Sequence, residues 1–231
     1  EGRSSLVMVG FVVAAFHLGS LLFASPLGWL SDTLGRKPIM VGSMALLAVV
    51  SLLFTRTVDP KWFIVLRLLQ GASAAVGAVI FAYVAQVSVP TERSRALGVV
   101  MSVSMGGGIA GPAVGAALYH SGGGGRGGFH AIFYFTAALA ALAAIAIASL
   151  LREPAAPPRR AMPVGRKRWS GYRDVLTPAI AGFLTVGLTA NIAYGGYLVI
   201  WSIRLERLGA STPVISLMWV AMSVPMLLTF A

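Results

Sequence analysis

Seven apolar stretches, each long enough to cross a bilayer, alternate with polar breaks along the chain, at about 6–30, 38–56, 61–88, 95–119, 129–151, 175–203 and 211–231. A helical span needs roughly 20 residues, and none of the runs shows the two-residue alternation of a barrel strand. The pattern predicts an all-α membrane protein with seven transmembrane helices. Five breaks are short: 32–37, 57–60, 90–94, the glycine-rich 121–128 and 206–210. The sixth, 152–174, is long, with Pro154, Pro157, Pro158, Pro163 and seven basic residues. That composition cannot bury a core, so the segment reads as a linker between a helical bundle at 1–151 and the start of a second at 175–231. Its run from Arg166 to Arg173 interleaves cations with Trp169 and Tyr172 and suits an anionic lipid surface.

Composition supports the membrane reading. The chain is 57% hydrophobic and 11% charged, with a mean hydropathy of +0.83, whereas a soluble domain carries about 25% charged residues. The net charge of +11 raises nucleic acid as a partner, but the cations sit in short breaks rather than along one face, so none is expected. Membrane orientation accounts for them. One side holds eleven Lys and Arg and the other six, with Arg67 inside a span. The richer side, which carries Arg36, Lys37, Arg93, Arg95 and the linker, should be cytoplasmic. With no cysteine and three scattered histidines, disulfides and metal sites are not expected, and no cofactor motif is present. No span pairs a nucleophile with a base, so no enzyme chemistry is indicated.

Three stretches break the apolar pattern in ways that need a reason. The first is Gly28-Trp-Leu-Ser-Asp-Thr-Leu-Gly-Arg-Lys-Pro-Ile-Met40, a charged hinge. Asp32 falls where a helix should end, so its carboxylate opposes the macrodipole and calls for a partner elsewhere. Gly35 permits a sharp turn, Arg36 and Lys37 bring positive charge, and Pro38 suits a first helical turn. The second is Arg67-Leu-Leu-Gln-Gly-Ala-Ser-Ala-Ala75. An arginine within a span costs a few kcal/mol unless it faces a cavity or a partner. Gln70 shares its helical face, and the small residues from Gly71 let a neighbouring helix approach closely. Snorkelling of Arg67 to headgroups is the alternative. In the third, Gly107, Gly111 and Gly115 recur every four residues beside Pro112, which predicts a closely packed, bending helix face.

The sixth run contains Asn191, Tyr194 and Tyr197 with Trp201, either lining a cavity for partly apolar ligands or forming packing and an interfacial belt. His17 stands alone on an apolar span, more in keeping with packing than with proton binding. All seven acidic residues lie at ends or in loops, so a proton carrier within the spans would have to be His17 or lie outside the chain.

The hinge resembles the loop signature G-x-L-a-D-r-x-G-r-k of the major facilitator superfamily, with Thr33 in the usual arginine position. The Arg67 stretch looks like the family's fourth-helix motif, and Gly107 to Ala116 like the fifth-helix antiporter motif. The resemblance implies a partial major facilitator fold, a plasma-membrane (bacterial inner-membrane) location, and a monomer that exports drugs or other amphipathic small molecules in exchange for protons. It places Arg67 and Gln70 in proton coupling, Gly28, Asp32, Gly35, Arg36 and Lys37 in the conformational hinge, and Gly107, Gly111, Pro112 and Gly115 at a helix interface; His17, Asn191, Tyr194 and Tyr197, from their own polar and aromatic character, are the candidates for a substrate cavity. A sugar or amino-acid exporter, an uptake symporter, or an inactive piece are the alternatives. The chain would run from the family's second helix to its eighth. Because Asp32 meets the eleventh helix in that family, here it is expected to lean on Arg36 or on the 90–95 loop.

Overall fold

The computed structural model describes residues 2–57, 59–154 and 177–211, with positions 214, 218 and 221. Every regular element among these is a helix: α1 (Gly2–Leu34), α2 (Arg36–Arg56), α3 (Pro60–Ala74), α4 (Gly77–Val87), α5 (Arg93–Ser121), α6 (Gly125–Leu150) and α7 (Pro178–Arg207). Six stretches are long and apolar enough to cross a membrane, α3 and α4 together forming one of them. The protein is a multi-pass membrane protein. The seventh predicted span and the linker from residue 155 to 174 lie outside the described residues, apart from isolated positions. Two compact units divide the chain, one holding α1–α6 and the other α7.

In the first unit α2 is the central element. Its buried positions Ile39, Met40, Ser43, Val50, Ser51, Phe54 and Thr55 recur at intervals of three, four and seven, so one stripe of the helix faces protein near both ends. Near one end Ile39 and Met40 pack with Val76, just before α4, and with Val79 of α4. Near the other, Val50 and Phe54 pack with Leu66 of α3. The buried hydroxyls cost little, because Ser51 donates to Leu47 O at 2.7 Å and Thr55 to Leu52 O at 2.7 Å. In the second unit α7 is largely exposed along its described length.

Two boundaries differ from the sequence reading. Helix α1 continues through Asp32 to Leu34, so the hinge contracts to one residue, Gly35, at φ 100°. The third apolar run is divided at Ala75 and Val76. Immediately before that break Ser73 Oγ donates to Gln70 O at 2.7 Å, and Val76 N bonds Ser73 O rather than the carbonyl one residue earlier. A serine hydroxyl competing for a carbonyl of the preceding turn bends helices in this way. At its other end α3 starts cleanly, with Asp59 Oδ1 accepting from Lys61 N at 2.9 Å and Pro60 in the first turn.

Candidate functional site

Hinge geometry begins at Gly35, whose positive φ is one that residues with a side chain rarely adopt. This turn leaves the first amides of α2 open, and Glu153, just beyond α6, takes two of them: Arg36 N donates to Oε1 at 2.7 Å and Lys37 N to Oε2 at 2.8 Å. A Cβ at Gly35 would sit 2.9 Å from the same carboxylate. Negative charge at a helix N-terminus is favoured both by the unpaired amides and by the macrodipole. Tyr83 of α4 donates to Arg152 O at 3.0 Å and so ties the same segment to a third helix.

Asp32 does not behave as expected. Its carboxylate is exposed in the last turn of α1 and has neither a hydrogen bond nor an ion pair among the described residues. The expected contact with Arg36 or the 90–95 loop is absent among the described residues, and the carboxylate at the start of α2 is that of Glu153. Glu92 and Arg95 instead line a shallow pocket between α4 and α5. Gly28 lies within α1 and accepts from Ser31 Oγ at 2.7 Å. Truncating the latch, Glu153→Ala, is expected to lower stability by about 1 kcal/mol, allowing for its exposure. Hydrogen exchange at the Arg36 and Lys37 amides should quicken with it, and unchanged exchange would count against the latch.

Arg67 is placed by a close crossing of α1 and α3. A Cβ built on Gly71 would overlap the carbonyl oxygen of Phe16, and one on Gly19 would overlap that of Leu68. Helices α1 and α3 therefore meet backbone to backbone, as small residues permit. Arg67 precedes Leu68 and is turned about 100° from it around the helix, toward α2. Its guanidinium carbon lies 5.9 Å from the centre of the Phe54 ring, and Nη1 donates to Gln70 Oε1 at 3.0 Å. The buried Nε atom has no hydrogen-bond partner among the described residues. Arg67 does not snorkel freely, being half-buried between a ring and an amide.

Beside it opens a cavity of about 480 Å³ lined by Phe54, Thr57, Phe63, Arg67, Arg126, Phe129, His130 and Phe133. It lies where α2 ends and α3 and α6 begin, opposite the hinge end of the bundle. Phe54 stacks on Phe133 with centroids 4.9 Å apart and planes at 13°, and tilts against Phe63 at 4.9 Å. The sequence reading missed this cluster, although Phe54, Phe129 and Phe133 stand at span ends near basic residues.

The other expected site residues are placed within their own units. His17 is exposed on α1, edge-on to Phe16 at 5.3 Å. In α7, Asn191 Nδ2 donates to Gly187 O at 2.8 Å, Tyr194 is exposed, and Tyr197 stacks on Trp201 at 5.1 Å. The close packing expected at Gly107, Gly111 and Gly115 is not made among the described residues: a Cβ at any of the three would meet nothing within 4 Å. Helix α5 has no buried residue, and Pro112 lies within an unbroken helix. The physical reason is that α5 touches α6 chiefly where the glycine turn joins them, with Tyr119 against Gly128 and Phe129.

A sequence profile of the Major Facilitator Superfamily matches residues 3–231. The chain is 28% identical over 190 residues to "Tetracycline resistance protein, class C" of Escherichia coli, covering 79% of this chain and 46% of that protein. It is 31% identical over 173 residues to "Multidrug resistance protein 1" of Bacillus subtilis, covering 74% of this chain and 42% of that one. To "Multidrug resistance protein 2" of the same organism it is 30% identical over 146 residues, covering 63% and 35%. The chain thus spans less than half the length of these relatives.

Proposed function

The chain belongs to the Major Facilitator Superfamily, and on that premise we propose that it is part of a secondary transporter exporting drugs or similar amphipathic molecules, coupled to protons and working by alternating access. The observation that carries the proposal is the Arg67–Gln70 pair, held at 3.0 Å inside a span at the crossing of α1 and α3. An ionised group at that depth is retained at a cost and marks a pathway by default. The names of the resistance-protein relatives support export as the direction.

In this reading Arg67 exchanges its Gln70 contact for another acceptor when a proton arrives or leaves, and the Gly35 turn with its Glu153 clasp passes the motion between α2 and α6. Asn191, Tyr194 and Tyr197 are substrate-facing groups contributed by α7. The test is proton-driven efflux of a lipophilic dye from vesicles carrying the longest open reading frame that contains this chain. Arg67→Ala is expected to reduce gradient-driven efflux by about two orders of magnitude, as loss of one charge-assisted partner does in a dry site. Full efflux in that variant, at equal membrane levels, removes Arg67 from the coupling path.

A further inference from the structure

We infer that the cavity beside Arg67 is a binding site for an anionic aromatic amphiphile: a planar apolar body carrying a carboxylate, sulfonate or phosphate. Its volume of about 480 Å³ falls in the range of small-molecule sites. Its apolar wall is a ring stack, Phe133 on Phe54 with Phe63 tilted against it, and a planar ligand can extend such a stack with offset or edge contacts. The charged groups on the wall are Arg67 and Arg126, with His130 beside them, and among the described residues no acidic side chain lines the cavity. Two guanidinium groups facing one apolar space repel each other and call for an anion.

Arg67 supplies the more specific reason. One of its five N–H donors is matched by Gln70 Oε1, while the buried Nε has no partner among the described residues. A buried donor without an acceptor is destabilising, the more so when it is charged. An anionic oxygen accepting from the guanidinium N–H groups that line the cavity would form the short, charge-assisted bonds that guanidinium favours. A neutral ligand of the same shape would gain only the stacking, and a cationic one would be repelled. The inference names a ligand class for the Arg67 region and rests on the transport reading only for what becomes of the ligand once bound.

The test is calorimetric titration of the purified protein in neutral maltoside detergent with three probes of one shape: 2-naphthoate, 2-naphthylmethanol and protonated 2-naphthylmethylamine. Naphthoate is expected to bind about tenfold tighter than the alcohol, with no detectable binding of the amine. Arg67→Gln should bring naphthoate to the level of the alcohol. Arg126→Gln, at the exposed rim, should weaken naphthoate a few-fold and serves as the check if the first variant fails to fold. Equal affinity for all three probes, or an anion preference unchanged in both variants, overturns the site. Repeating the titration in phosphatidylcholine nanodiscs with and without phosphatidylglycerol identifies the source. Weaker naphthoate binding with the anionic lipid supports the site with a lipid headgroup as occupant, and equal binding supports it with a soluble ligand. No proton gradient enters this measurement, so its failure leaves the efflux reading standing, and lost efflux with intact naphthoate preference leaves the site standing.

Discussion

Gly71→Ala is expected to lower the stability of the α1–α3 pair by about 3 kcal/mol, the upper part of the range for forced overpacking. The added methyl would coincide with the Phe16 carbonyl oxygen, and backbone on both sides of the seam prevents a side chain from simply moving aside. Gly19→Ala should do nearly the same from the other helix, against Leu68. The double variant should cost less than the sum, because one separation of the helices relieves both clashes. Gly111→Ala is the contrasting case, since its added Cβ meets nothing within 4 Å. It should be neutral or stabilising by up to about 1 kcal/mol through helix propensity alone. Thermal unfolding in detergent, followed by far-ultraviolet circular dichroism, reads all four. A midpoint for Gly71→Ala equal to that of Gly111→Ala would refute the seam.

Phe54→Ala is expected to cost about 3 kcal/mol as well, at the lower end for a buried phenylalanine, since a membrane-embedded side chain loses packing rather than shelter from water. Phe54 is 3% exposed, stacks on Phe133, tilts against Phe63 and lies beneath the Arg67 guanidinium. Its removal merges the ring site with the cavity and frees Arg67 from its cation–π contact, worth about 1–2 kcal/mol when desolvated. Stability and Arg67-dependent efflux should therefore fall together. Phe54→Leu should recover much of the stability and little of the efflux. Full recovery of both by leucine would show that bulk at this position suffices and that the ring has no role of its own.

How legible these features were depends on the kind of force behind each. Arg67 and Gln70 stood out because a charge and an amide in an apolar run are costly wherever the fold places them, and the structure pairs them. Gly71 was readable as a close-approach position for the same reason that it now lies against Phe16. Gly107, Gly111 and Gly115 carried an equally clear spacing, yet their face is open among the described residues. Spacing of small residues permits contact without requiring it. Asp32 was identified as a carboxylate in need of a partner, while the carboxylate that caps the hinge is Glu153, more than a hundred positions further along. No local pattern links a glycine turn to a glutamate at that distance. Phe54, Phe63 and Phe133 form one stack from three helices, and in the sequence each is one more apolar residue at a span end.

By itself the sequence determined the alternation of apolar runs with charged breaks, the side richer in cations and the family motifs. All of these follow from the cost of placing charge or unpaired backbone in a bilayer, which depends on local composition. Tertiary structure alone decided which face of each helix meets another helix. Lipid chains are as apolar as a packed interior, so hydrophobicity does not separate a buried face from a lipid-facing one. That choice rested on backbone approach at Gly19 and Gly71, on ring stacking around Phe54, and on two amides of α2 closed by Glu153.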